Sequence, residues 1–465
     1  MYDITNTDTI CAISTPPGCG GIAVIRISGP MAIAITDTIW QGKPLATAAD
    51  HTAHLGLIID PADKSVLDQA VATIYRAGHS FTGDEVVEIA THGSRYIQQR
   101  LITILIDAGA RHAEPGEFTR RAFLAGRIDL AEAEAVADVI ASTTKASHRL
   151  ALSQLTGSFS QSIHNLRDGL ITLASLLELE LDFSEEDVQF ASREQLMTQA
   201  SEVTLHIDSL ADTFATGSAL KEGIPVAIIG EPNAGKSTLL NRLLGDDRAI
   251  VSDIPGTTRD TIEGTAVHHD ILFRYIDTAG LRQTSDTIES LGIDRAMAKI
   301  AAARIVILLT TPQADTADIA SLIERDIAPR LAPGASLILA TNKIDISATL
   351  PASTTTPHIA AHLHISAKTG QGIDTLTNTI AELSGAQMLD TADAIVTNAR
   401  HYKALTDASD ALHRLIQGLK ASPPISGDFL AQDLREGLHH LATITGDITT
   451  TDLLTSIFSR FCIGK

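Results

Sequence analysis

Cysteine, aromatic side chains and positive charge are all scarce in this chain of 465 residues. Its three cysteines, Cys11, Cys19 and Cys462, are odd in number and not at metal-ligand spacing. That excludes a disulfide framework and a zinc cluster and fits a reducing cytoplasm. Aromatic residues make up 4% of the chain, too few for the stacking platforms that hold single-stranded nucleic acid. Lys and Arg number 35 against 56 Asp and Glu, a formal charge of −21. A broad surface tracking nucleic-acid phosphates is thereby excluded, and any such contact must be local or helped by a partner. Apolar runs such as Ile305–Leu309 are far too short to cross a bilayer, and no basic flank with an apolar core opens the chain. The expectation is a soluble, cytoplasmic protein without a membrane partner. Repeats and low-complexity tracts are missing as well. The length supports two to four domains.

What the chain does contain is a phosphate loop. Gly230-Glu-Pro-Asn-Ala-Gly-Lys-Ser237 matches G-x-x-x-x-G-K-[ST], follows the apolar run Ile224–Ile229 and opens a helical pattern through Leu239, Leu240 and Leu243. Such a loop wraps phosphates with backbone N–H groups at a helix N-terminus; Lys236 adds charge and Ser237 can ligate Mg²⁺. Asn233, Ala234, Gly235 and Thr238 complete the contact set.

Downstream motifs select the base. Asp277-Thr-Ala-Gly280 ends the run Ile271–Ile276. Asp277 is placed to hold Mg²⁺ through water, the Gly280 N–H to meet the γ-phosphate, and Thr278 and Ala279 lie between. Asn342-Lys343-Ile344-Asp345 follows Leu337–Ala340. The Asp345 carboxylate can accept from the N1–H and N2–H₂ edge of guanine, and adenine offers no such donor pair. Ser366-Ala367-Lys368 follows His362–Ile365 and fits a loop presenting a backbone N–H to guanine O6. In series these motifs point to GTP rather than ATP. Between them, Gly256-Thr-Thr-Arg-Asp260 supplies Thr258 as a second Mg²⁺ ligand on a switch segment, although the same residue types suit a polar surface loop.

Leu281 stands where many small GTPases carry the glutamine that orients the attacking water. Glu289, in the charged stretch Ser285–Glu289, is a candidate for that task, against the plainer reading of a solvated helix-start carboxylate. No arginine finger is identifiable, so the charge of the transition state needs another source.

The predicted fold is multidomain, α/β plus all-α. Residues 1–120, with short strands Gly21–Ile27, Asp68–Tyr75 and Glu85–Ala90 between Gly/Pro turns, read as an α+β domain. Residues 121–217 read as helical, from Leu130, Ala133, Ala137, Ile140 and Ala141 and from Leu166, Leu170, Leu173, Leu176 and Leu177 at helical spacing. Residues 218–383 alternate strand-like and helical runs, as a parallel sheet demands; this is the Ras-like P-loop GTPase unit. Residues 384–465 resume helical texture, so the GTPase unit reads as an insertion in one helical bundle. The terminal Phe461-Cys-Ile-Gly-Lys465 is no prenylation box, since Lys is a poor last residue and no polybasic tract precedes it. Cys462 reads either as a reactive or ligand-contacting thiol or as a buried small residue.

These motifs, the opening Thr15-Pro-Pro-Gly-x-Gly-Gly21 with Arg26-Ile-Ser-Gly29, the segments Ser80-Phe-Thr-Gly83 and Pro115-Gly-Glu-Phe118, and the terminal pentapeptide together resemble the MnmE/TrmE family of tRNA-modification GTPases, end to end. The resemblance implies a homodimer working with an FAD-dependent MnmG/GidA-like protein, as a heterotetramer. It further implies tRNA as substrate, with an aminomethyl-type or carboxymethylaminomethyl group added at C5 of the wobble uridine. A 5-formyl-tetrahydrofolate-type carrier would lie against Arg26, Glu88, Arg127 and Lys465, with Cys462 nearby. K⁺ would be ligated by Asn233, Ser252, Ile254 and Thr257, in a loop whose Asp253, Pro255 and Gly256 also border the nucleotide. Glu289 matches the family's catalytic glutamate. Three departures bear on these sites: Cys19 stands for an Arg, Glu231 for a basic residue and Arg127 for a Lys. A rival reading is a ribosome-assembly switch of the Era/Der kind. It shares every GTPase motif, but the −21 balance and the tail do not suit its basic RNA-binding module.

Overall fold

The computed structural model describes residues 8–182, 193–245, 263–276, 298–347, 356–391, 394–422, 425–459 and 461–464. The chain divides into two compact units, one of residues 1–137 with 438–465 and one of residues 138–437.

Among the described residues the first unit is built on seven strands: β1 (Ile10–Ile13), β2 (Gly20–Ser28), β3 (Trp40–Gln41), β4 (Thr52–Ile59), β5 (Val66–Tyr75), β6 (Val86–Gly93) and β7 (Arg111–His112). Their order is β3-β4-β5-β6-β2-β1-β7, antiparallel except where β7 joins β1. Strand β5 shows why they form. Ala70, Ala72 and Ile74 point into the core and alternate with outward Val71 and Thr73, the period of two that a half-buried strand requires. Helices α1 (Ala32–Ile39) and α2 (Arg95–Asp107) cover that inner face with Ile33, Ile35, Leu101 and Leu105. On the other face, α3 (Glu117–Leu124) sets Phe118 against Ile10 and Ala12. The C-terminal helix Thr451–Phe458 returns to this unit and buries Phe458 with Leu130 and Ala133.

The second unit holds the helical bundle and the α/β sheet. The helices before the sheet are α4 (Leu130–Ala141, which begins in the first unit's span), α5 (Lys145–Leu155), α6 (Ser158–Asp182), α7 (Arg193–Asp212) and α8 (Phe214–Glu222). A reciprocal capping box, Thr144 with Ser147, fixes the start of α5. Then come β8 (Ile224–Gly230), α9 (Lys236–Leu244), β9 (Glu263–His268), β10 (Ile271–Ile276), β11 (Ile305–Thr310), α10 (Thr316–Leu322), β12 (Ser336–Thr341), β13 (Ile359–His364), α11 (Ile373–Leu383) and the short α12 (Met388–Thr391). The sheet runs β13-β12-β11-β8-β10-β9, parallel except for β9 against β10. All six residues of β11 are buried, as a central strand covered on both faces demands. The last strand starts at Ile359, three residues earlier than the apolar run His362–Ile365 suggests. Along it Ala360 is exposed and the other residues are half-buried; Leu363 and the following Ile365, which is buried, pack on the α11 side.

After the sheet, α13 (Ala399–Lys420) lies along α7, and the Ser409 hydroxyl donates to Asp208 Oδ1 across them. Helical segments from before and after the α/β part therefore share one bundle, with α14 (Gly427–Thr445) following. The returning chain is latched: Gln154 Nε2 donates to Ile395 O (3.0 Å) and Thr397 Oγ1 (3.1 Å), and Val396 N donates to Thr213 Oγ1 (2.9 Å). Gly217 passes so near that a Cβ would strike the Val396 carbonyl. Gly217→Ala should therefore force this junction apart and cost about 1–3 kcal/mol of stability, read as a lower Tm; an unchanged Tm would show the latch can yield. Among the described residues no helix is long and apolar enough to cross a membrane.

Candidate functional site

The loop between β8 and α9 has three positive φ angles in six residues: Gly230 at 147°, Asn233 at 62° and Gly235 at 102°. Backbone of this kind curls successive N–H groups into an anion-holding concavity at a helix start. Glycine is required at 235, since a Cβ there would strike the Asn342 side chain. Lys236 Nζ spans the loop, donating to Gly230 O and Glu231 O at 2.8 Å each. Ala234 is buried, while Asn233, Ser237 and Thr238 are exposed and accessible to a ligand.

The two base motifs meet this loop. Asn342, 3% exposed, leaves the end of β12; its Nδ2 donates to Ala234 O at 2.8 Å and its Oδ1 accepts from Ala367 N at 2.9 Å. One side chain thus bolts the phosphate loop to the Ser366-Ala367-Lys368 loop. Lys343 takes a left-handed φ of 63°, the turn that brings Ile344 and Asp345 back toward β13. Asp345 Oδ1 accepts from Ser366 Oγ at 2.7 Å, and Ile344 N donates to Ile365 O at 3.4 Å. All these residues sit beyond the carboxyl ends of β8, β12 and β13, where doubly wound sheets bind ligands. The double grip of Asn342 was not legible in its motif, because only the fold shows which loops it faces. Ser252, Asp253, Ile254, Pro255, Gly256, Thr257, Thr258, Asp277, Thr278, Ala279, Gly280, Leu281 and Glu289 lie outside the described residues; β10 ends at Ile276, one position before Asp277.

In the first unit, Arg26 and Glu88 are register partners on β2 and β6. They form an ion pair, with Arg26 Nε 2.8 Å from Glu88 Oε1, about three-quarters buried, and the guanidinium lies 5.5 Å from the Phe118 ring. Tyr75 is a neighbour that sequence reading missed, since only strand pairing reveals it. Burial first, and then the Glu88 charge, push its phenol above its ordinary range. Arg127 Nη1 donates to Gly78 O at 2.9 Å, tying it to the loop before β6. The Ser28 and Thr82 hydroxyls, 2.8 Å apart, join that loop to the end of β2. Cys462 is exposed, which removes the buried-residue reading, and its carbonyl accepts from Gly116 N at 3.4 Å. Ser14 Oγ donates to Gly464 O at 3.2 Å. The tail therefore runs between the end of β1 and the start of α3, on the Phe118 side. Cys11 is the buried thiol, pushed up to about 11 by desolvation. Lys465 lies outside the described residues.

A phosphate loop tied by Asn342 to guanine-type base motifs defines a P-loop GTPase. The profile described as MnmE helical domain matches residues 130–462, and that described as GTP-binding protein TrmE N-terminus matches residues 9–127. A tRNA modification GTPase MnmE from Parabacteroides distasonis is 50% identical over 464 residues, covering 98% of this chain and 100% of that protein. One of the same description from Cytophaga hutchinsonii is 47% identical over 467 residues, covering 99% of each. This chain belongs to the MnmE family of tRNA modification GTPases. Among solved structures, the G domain of the Thermotoga maritima FeoB iron transporter is 26% identical, with a TM-score of 0.27, over 35% of this chain and 98% of that one.

Proposed function

We propose that this GTPase is stimulated by K⁺ and acts with an FAD-dependent MnmG/GidA-like protein to add an aminomethyl-type or carboxymethylaminomethyl group at C5 of the tRNA wobble uridine, drawing on a tetrahydrofolate one-carbon unit. The observation that supports it most is the junction of Ala234, Asn342 and Ala367, which sets phosphate and base recognition in one crevice. Asn233, Ala234, Gly235, Lys236, Ser237 and Thr238 hold the phosphates, and Asp345 with Ser366, Ala367 and Lys368 reads guanine. The exposed Ser237 at the start of α9 fits Mg²⁺, with Thr258 as its partner. Asn233, with Ser252, Ile254 and Thr257, fits K⁺. The two ions would supply positive charge to the phosphates, where the sequence offers no identifiable arginine finger. Glu289 orients the attacking water.

The cofactor chemistry of the first unit follows from Arg26 and Glu88. A carboxylate beside an aromatic ring can accept from the amide and amine edge of a pterin, as Asp345 does for guanine. Arg127 and Lys465 then suit the acidic tail of a folate. The domain scheme that goes with this is a folate-binding and dimerising domain to residue 120, helical parts 121–217 and 384–465, and an inserted GTPase domain, 218–383. The working protein is a cytoplasmic homodimer that binds tRNA with its partner's help.

The test is GTP turnover in KCl against NaCl, with faster hydrolysis expected in KCl; equal rates would remove the potassium arm. Glu289→Ala should abolish most turnover while GTP affinity holds. Hydrolysis at the wild-type rate would remove Glu289 from the catalytic role.

A further inference from the structure

Arg242 lies in the last turn of α9, where a basic side chain ordinarily serves its own helix by facing the terminal carbonyls. Here its guanidinium reaches a different loop. Nε donates to Ala367 O at 3.3 Å and Nη2 to Lys368 O at 2.7 Å. The N–H of the same Ala367 is already held by Asn342 Oδ1. The loop itself is closed by Ser366 N to Gln371 O at 2.9 Å and Gly370 N to Ser366 O at 2.8 Å. Gly370 has a φ of 91°, and a Cβ added there would lie 3.9 Å from the guanidinium carbon.

We propose that Arg242 is a positioning residue for base selection. It fixes the Ala367 and Lys368 carbonyls to the helix that carries the phosphate loop, and so fixes where the Lys368 N–H, on the same peptide as the Ala367 carbonyl, stands relative to bound phosphates. This rests on the guanine reading above. A purine O6 arriving there accepts from that N–H, whereas an amine at the same carbon meets a donor with a donor. How strongly the site rejects the amine depends on how little the loop can move. Two successive carbonyls call for a planar two-donor fork; a lysine ammonium is a point charge that satisfies one well.

The experiment measures the affinities of the full-length protein, Arg242→Ala and Arg242→Lys for GDP and for the 2,6-diaminopurine ribonucleoside diphosphate, which carries an amine in place of O6 and a bare N1 in place of N1–H. The loss of the N1–H contact to Asp345 is common to all three proteins, so the change in preference reads the O6 position. In Arg242→Ala, GDP binding should weaken on the order of tenfold, the size of one lost charge-assisted hydrogen bond. The preference for GDP over the amine analogue should narrow by a similar factor, and Arg242→Lys should fall between. If Arg242 only steadies its own helix, both affinities drop together and the preference is unchanged, which would overturn the proposal. A wild-type protein without preference for GDP would instead overturn the guanine reading itself.

Discussion

Asn342→Ala is expected to weaken GDP binding by about a hundredfold, read by titration with a fluorescent GDP. The side chain is 3% exposed and bridges Ala234 O and Ala367 N. Its removal leaves a buried carbonyl and a buried N–H without this partner, at about 1–3 kcal/mol each. The two loops then drift until a ligand re-orders them, so the loss falls on binding, where about 2.7 kcal/mol is a hundredfold. Asn342→Asp separates the arms: its carboxylate can still accept from Ala367 N but cannot donate to Ala234 O. An intermediate loss is expected there. A change below threefold in the alanine variant would mean the loops hold their places without the bridge.

Glu117→Ala should be the most damaging change in the first unit, lowering its stability by about 3–5 kcal/mol, the cost of breaking a buried ion pair from one side. Glu117 is fully buried. Its Oε1 lies 2.6 Å from Arg111 Nη2 and 3.1 Å from Arg121 Nη2, and Oε2 accepts from Glu114 N at 2.8 Å. Asp8 completes the cluster, 2.7 Å from Arg111 Nε and 2.6 Å from Arg121 Nη2. Burial pushes the Glu117 and Asp8 carboxyls up, but the Arg111 and Arg121 contacts outweigh it and hold both below the ordinary range. A depressed carboxylate contributes stability that is complete above its unfolded pKa and is lost as pH falls through the folded one. Thermal melts should therefore show the wild-type unit losing Tm below about pH 4. Glu117→Gln should start lower at neutral pH and lose less over that range. Parallel wild-type and variant profiles would mean the pair carries no pH-dependent stability.

The chemistry of the nucleotide site was legible because a phosphate loop is local. Gly230, Gly235 and Lys236 are bound to their geometry by the few residues around them, and the strand–loop–helix order is written in hydrophobic period. The strands β8, β10 and β12 were equally legible, since each is a short apolar run ended by a motif. Arg242 carried no such signal. On its own helix it reads as a last-turn base, and only the return of the chain 125 residues later shows what it grips. Tyr75 and Phe118 beside the Arg26–Glu88 pair were hidden for the same reason, because strand register and the packing of a helix on a sheet are long-range properties.

By itself, the sequence determined that this chain binds a nucleotide by its phosphates, that guanine suits its base motifs, and that helices flank a parallel sheet. Those features depend on side-chain type and spacing within a few residues, where covalent connection does the positioning. Tertiary structure decided that the tail runs between β1 and α3, that Asn342 reaches the phosphate loop, and that Arg242 grips the base loop. Such contacts join residues more than a hundred positions apart. Their geometry follows from which apolar faces bury one another, and no local pattern records that.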